Sequence, residues 1–131
     1  MKTLTIRTNK RRELQDISSE VRSAISESEI SDGLCVLWVP HTTAGVTINE
    51  NADPDVKIDM LAGFERFVPA NAGYLHGEGN SDSHIQSTLV GPSLTLIVEN
   101  GRPVLGTWQG ILFCEFDGPR TRKMYVKVVG E

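Results

Sequence analysis

The stretch HGEGNSDSH, residues 76–84, holds two of the chain's three histidines together with Glu78, Asn80, Asp82, two serines and two glycines, and no apolar side chain. The third histidine, His41, stands in PHTTAG, so every imidazole of the chain lies in a polar, turn-like context. An isolated histidine serves as a cap or a surface group. Three of them set among acids, amides and hydroxyls raise a second reading. Imidazole is a common ligand for zinc, and three imidazoles leave an open fourth position for chemistry. The spacing from 76 to 84 matches no metal pattern such as HExxH, so both readings stand at this point.

The neighbouring side chains widen the choice. Glu78 and Asp82 can orient ligating imidazoles, bind a harder ion directly or move protons; they can equally be solvated loop acids. Gly77 and Gly79 flank Glu78 and permit close approach of backbone to a bound group, or simply a turn. Thr42 and Thr43 offer hydroxyls to an anion, although threonine pairs are also ordinary strand residues. Asn49 and Glu50 end a strand just before a helix N-terminus, a common place for both binding groups and caps. Glu115 lies between Cys114 and Phe116 in an apolar strand, a costly place for a carboxylate unless it is paired. Arg120, five residues on, is its expected ion-pair partner or else a substrate contact.

The elements that must carry these residues are legible in outline. KTLTIRT (2–8) alternates as a strand, and Ile17, Val21, Ala24 and Ile25 mark a helix over 16–29, capped by Asp16 or Ser18. LCVLWV (34–39) reads as a buried strand that Pro40 ends, and AGVTINE (44–50) alternates again. Asp53 and Pro54 open the clearest helix, with an apolar stripe of Val56, Met60, Phe64 and Phe67 and Pro69 just beyond. Ser81 or Asp82 is the expected cap of a short helix closed by Gly91. SLTLIVE (93–99) leads to Asn100-Gly101, a strong hairpin signal. Residues 103–116 read as one long strand bent at its glycines; after the FDGPR turn, KMYVKVV closes the chain as a strand. The expected fold is one α+β domain over 1–131, antiparallel and rich in strand, with two or three helices.

Bulk properties exclude several classes of function. A net charge of −4 argues against a nucleic-acid partner. No apolar run reaches membrane-spanning length and no export signal is visible, so the expected location is cytoplasmic. Cys35 and Cys114 both lie in apolar runs and read as reduced, buried residues, which leaves any metal to histidine and carboxylate.

Four blocks in order, HTTAGVTINEN (41–51), HGEGNSDSH (76–84), SLTLIVENGRPVLGTWQGI (93–111) and FDGPR (116–120), resemble the YjbQ-like family of secondary thiamine-phosphate synthases. The resemblance covers nearly the whole chain. It implies an α+β sandwich, a homotrimer and a divalent metal, zinc before magnesium, near His41, His76 and His84. It also implies a weak activity that joins a pyrimidine diphosphate to a thiazole phosphate and releases pyrophosphate. On this reading Glu78, Asp82 and Arg120 carry the chemistry, with Arg120 neutralising the leaving group. The substrate contacts are Thr42, Thr43, Asn49, Glu50, Asn80, Gln109 and Glu115, and Trp108 either stacks on a ring or packs in the core. Two other readings remain: a metal-dependent hydrolase of a phosphorylated small molecule, and a non-catalytic trimer that binds metal or phosphoryl ligands.

Overall fold

The structure, a computed structural model, describes residues 1–131 in full. In chain order the elements are β1 (Lys2–Arg7), β2 (Glu13–Asp16), α1 (Ser18–Glu27), β3 (Gly33–Trp38), β4 (Ala44–Glu50), α2 (Pro54–Phe67), α3 (Ser81–Val90), β5 (Ser93–Glu99), β6 (Arg102–Pro103), β7 (Gln109–Glu115) and β8 (Thr121–Gly130). They form a five-stranded sheet, β1-β8-β3-β5-β6, and a three-stranded sheet, β2-β7-β4. Every pairing is antiparallel. The α+β class and the single-domain, strand-rich sandwich read from the sequence are both present.

Side-chain parity builds the layers. Ile6, Cys35, Leu37, Leu96, Val98, Met124 and Val126 point from the five-stranded sheet onto Val46, Ile111 and Phe113 of the other, with Val21, Ala24 and Ile25 of α1 in the same core. Each such buried aliphatic or aromatic side chain contributes about 1.5–3 kcal/mol. The opposite face of the small sheet, through Leu14, Cys114 and Phe116, packs against Met60, Leu61 and Phe64 of α2 and Val90 of α3. β7 is therefore covered on both faces, which is why ILFCEF is continuously apolar apart from Glu115.

Helix α3 inverts the usual pattern. Asp82, Ser83, Gln86 and Ser87 are buried, whereas Ile85 and Leu89 face outward. The buried side chains serve the backbone of other elements: Ser83 donates to Phe116 O (2.6 Å), Ser87 to Ala44 O (2.7 Å) and Gln86 to Phe64 O (3.1 Å). These bonds fasten α3 across the ends of β4 and β7. That is where the histidine-rich stretch must be held.

Four local expectations are corrected. β2 was not foreseen, because residues 13–16 become a strand only through pairing with Leu112–Glu115 of β7. Helix α1 starts at Ser18 rather than Asp16; the Asp16 carboxylate nonetheless accepts from Ser18 N at 2.9 Å. The long strand over 103–116 is broken: Arg102–Pro103 pair in the large sheet, and the chain turns at Gly106 and enters the small sheet at Gln109. Gln109 Oε1 accepts from Gly106 N at 2.7 Å and fixes that turn. Asn80, not Ser81 or Asp82, occupies the cap position of α3. The Asp53 cap of α2, the Gly91 close of α3 and the Asn100-Gly101 turn, both residues at positive φ, stand as read.

Candidate active site

The register of the large sheet prepares a gap. β3 pairs with β8 as far as Trp38 opposite Tyr125, and continuing that register sets Pro40 opposite Lys123. Proline ends the ladder there, and the chain crosses to the small sheet at Ala44. Lys123 N–H is thereby left without a strand partner, and His41 Nε2 accepts it at 2.9 Å. At this end of the sandwich the 40–43 link, the N-terminus of α3, the loop before it and the start of β8 surround an open cavity of about 450 Å³.

Its wall has no hydrophobic residue. The 40–43 link and the start of β8 supply Pro40, His41, Thr42, Thr43, Arg120 and Arg122; the loop before α3 and its first turn supply His76, Glu78, Asn80 and His84. The rings of His76 and His84 stand 5.5 Å apart and perpendicular, and Glu78 Oε2 lies 3.9 Å from His76 Nε2. Asn80 Nδ2 donates to Asp117 Oδ2 at 2.8 Å, which fixes the amide, and its buried Oδ1 has no partner. Arg120 is half exposed, its guanidinium braced by Asp117 Oδ2 (2.9 Å) and Asp117 O (2.8 Å).

Beneath the cavity lies a buried ion pair. Arg122 shares the inward parity of Met124 and Val126, and Glu115 that of Ile111 and Phe113, so the two meet between the sheets. Arg122 Nε donates to Glu115 Oε1 at 2.9 Å and its Nη2 binds Glu115 Oε2, Thr43 Oγ1 (2.8 Å) and Thr43 O (3.2 Å). Thr8 Oγ1 donates to Glu115 Oε1 at 2.7 Å and Asp117 N to Oε2 at 3.0 Å. Burial pushes the Glu115 carboxyl up, but the bonds from Arg122, Thr8 and Asp117 N outweigh it and hold the group below its ordinary value of 4.5. Gly118 makes the packing possible, since a Cβ there would lie 2.4 Å from Lys10 O and 2.8 Å from Glu115 Cγ. His41 is held below its ordinary value by burial and then by the Arg122 charge, against a smaller opposing effect of Glu115, so it is neutral at pH 7.

The structure gathers eight of the residues singled out from the sequence: the three histidines, Thr42, Thr43, Glu78, Asn80 and Arg120. The remaining expectations are corrected. Asp82 is fully buried and bound to Arg11 and Arg12, so it anchors α3 and is not on the cavity wall. Glu115 lies behind the wall, and its partner is Arg122, while Arg120 pairs with Asp117. Asn49, Glu50 and Gln109 lie at the far end of the β4–β7 ladder, five or six residues from the Ala44–Glu115 pair and so about 17–20 Å away. Trp108 is at that far end too, 64% exposed, neither core nor cavity. Arg122 was missed, although the parity of TRKMYVKVV placed it on the buried face beside Met124.

As a set of three, the imidazoles do not fit one metal ion. A ligating nitrogen needs its lone pair, and that of His41 Nε2 already accepts Lys123 N–H. No group of three His, Cys, Asp or Glu side chains is placed to hold a metal. The pair His76 and His84, beside the unpartnered Asn80 Oδ1, retains donor atoms for a cation with open positions.

Comparisons with known proteins agree on the frame. The sequence model of the family described as UPF0047 protein YjbQ-like matches residues 2–131. The chain is 59% identical over 126 residues to a UPF0047 protein of Methanocaldococcus jannaschii, covering 96% of this chain and 91% of that one. It is 55% identical over 131 residues to UPF0047 protein YugU of Bacillus subtilis, covering 99% of each. The crystal structure of a YjbQ/UPF0047 family protein from Clostridium acetobutylicum superposes with a TM-score of 0.97 at 49% identity, over 98% of this chain and 100% of that one. A YbjQ-like protein of Sulfolobus solfataricus gives a TM-score of 0.95 at 31% identity, over 99% and 96%.

Proposed function

The chain belongs to the YjbQ-like UPF0047 family, and from that premise we propose that its polar cavity binds a phosphorylated small molecule and catalyses slow formation of thiamine phosphate. One observation carries the reading: a cavity with three histidines, two arginines and two threonines on its wall and no hydrophobic residue. Such a wall suits phosphoryl oxygens, which accept many charge-assisted hydrogen bonds. It offers the ring of a ligand little apolar surface.

In this reading the diphosphate of the pyrimidine substrate enters against Arg120, whose brace on Asp117 fixes the guanidinium before the ligand arrives. The methylene C–O bond breaks and its electron pair leaves with pyrophosphate. The thiazole nitrogen then forms the new C–N bond to the same carbon. Charge develops on the leaving oxygens, and Arg120, Arg122 and the threonine hydroxyls stabilise it without reorganising. His76 and His84 would hold a divalent ion, which would supply further neutralisation of the diphosphate. No protein nucleophile takes part.

The test is a product assay. Purified protein supplied with a divalent metal, the pyrimidine diphosphate and the thiazole phosphate forms thiamine phosphate and pyrophosphate in equal amounts. Release of phosphate or pyrophosphate without the joined product refutes the transferase. That outcome supports hydrolysis, the reading Glu78 favours as the one carboxylate on the wall.

Assembly as a homotrimer in the cytoplasm belongs to the same proposal. Outward Ile85, Leu89 at 65% exposure, Phe67 at 85% and fully exposed Leu75 support a covered face around α2, α3 and the loop between them. No helix is long and apolar enough to cross a membrane. Light scattering at micromolar concentration returns three times the 14.4 kDa chain mass, and a stable monomer refutes the trimer.

A further inference from the structure

Two chemically different segments line the cavity, and His41 belongs to a different one from its sister histidines. A neutral imidazole has one lone pair and one N–H. His41 Nε2 uses its lone pair on Lys123 N–H at 2.9 Å, so the ring hydrogen is on Nδ1. Nδ1 has no protein partner and is not sealed from solvent, and the residue lines the cavity. To ligate a metal, the ring must turn and abandon a backbone N–H at the point where the β3–β8 ladder ends.

The groups beside His41 on the 40–43 link and β8 each have a hydrogen to offer a ligand. Arg122 has Nε and Nη2 fully committed to Glu115 and Thr43, but Nη1 makes no protein bond and is likewise not sealed off. The Thr43 hydroxyl accepts from Arg122 and so keeps its own hydrogen to donate. Thr42 is exposed at the wall and Arg120 stands at the rim. An anion placed among these groups meets two guanidinium groups, an imidazole N–H and hydroxyl hydrogens. On the segment from the loop into α3 the chemistry differs: His76 and His84 have no hydrogen bond through either ring nitrogen, Glu78 is a carboxylate and Asn80 Oδ1 is an orphaned acceptor.

We propose that His41 is an anion donor and not a metal ligand: its Nδ1–H and Arg122 Nη1, with the Thr43 hydroxyl, form a subsite for one phosphoryl group, separate from the His76–His84 pair. This rests on the reading of the cavity as a phosphoryl-ligand site. Glu115 is then a positioning residue, since its two oxygens turn Arg122 so that Nη1 is the nitrogen left for the ligand. The lowered His41 value agrees, because a neutral ring keeps its single N–H directed by Lys123.

The experiment uses wild-type protein labelled with ¹⁵N at histidine and stripped of metal, read by long-range ¹H–¹⁵N correlation. His41 appears as the Nδ1–H tautomer. Adding Zn²⁺ alone shifts ring nitrogens of His76 and His84 and leaves those of His41 in place. Adding inorganic phosphate alone shifts His41 Nδ1. A zinc-induced ligation shift at His41, or the opposite tautomer, overturns the assignment. Phosphate that perturbs other cavity residues while His41 stays silent overturns it too, and leaves the phosphoryl reading intact. Phosphate that perturbs no cavity residue overturns both. In parallel, His41→Ala weakens phosphate binding about ten- to a hundredfold, the worth of one bond to a charged group, with zinc content unchanged. Loss of zinc from folded His41→Ala protein contradicts the proposal.

Discussion

Arg122→Met lowers the free energy of unfolding by about 3–5 kcal/mol, the cost of leaving one partner of a buried ion pair alone. Glu115 is fully buried and Arg122 is 3% exposed, and no other cation reaches the carboxylate. For a domain whose whole stability is about 5–15 kcal/mol this is a large share. Replacing both residues with apolar ones of similar size, Glu115→Leu with Arg122→Met, recovers most of that loss, because no unpaired charge remains. Phosphate binding does not recover with it. Urea unfolding of the single and double variants separates stability from function. In the wild type, the depressed Glu115 value means that its contribution is complete above pH 4.5 and is lost as pH falls below that value. In Arg122→Met the unpaired carboxyl gains from protonation, so the deficit narrows on acidification. A deficit under 1 kcal/mol, or one independent of pH, refutes the pair as described.

That pair also shows how far the sequence could be read. Glu115 was recognisable as a charge in an apolar strand that needed a partner. Choosing between Arg120 and Arg122 required knowing where β8 begins: the two share one parity, but Arg120 stays in the turn before Thr121 and only Arg122 is carried inside by the strand. Strands with clean alternation, β1, β5 and β8, were legible because local pattern and burial agree in them; α2 was legible from its Asp53 cap, although Phe67 of its expected apolar stripe is 85% exposed. β2 was not, since its strand character comes from β7. The break at Gly106 was hidden because nothing local marks a strand that changes sheets. The histidine-bearing segments were legible as polar blocks in apolar surroundings. That Asn49, Glu50 and Gln109 fall at the other end of the ladder follows from strand length and register, which motif positions do not encode. Asp82 misled for a different reason: a helix that buries its polar side looks from composition like an exposed one.

Arg120→Ala and His76→Ala both lower turnover, through different losses. Arg120 is braced on Asp117 and half exposed at the cavity, so its truncation leaves the fold and the metal content unchanged. Losing a charge-assisted contact to the diphosphate costs about 2–3 kcal/mol, roughly 30- to 150-fold in kcat/KM. His76→Ala instead removes one of the two imidazoles proposed to hold the ion, and bound metal falls with activity. Its melting temperature stays near that of the wild type, because the ring is exposed and packs only against His84. Metal content, melting temperature and rate measured on the same preparations distinguish the two. Arg120→Ala protein that turns over normally contradicts its role.

Calorimetric titration of pyrophosphate into metal-free protein bears most directly on the claim that this cavity is built for a phosphorylated ligand. The account predicts one saturable site per chain, weakened by added salt and lost in the Glu115→Leu, Arg122→Met double variant, which remains folded. Absence of saturable binding at ligand concentrations up to about 10 mM, where even a dissociation constant of about 1 mM would be seen, contradicts it.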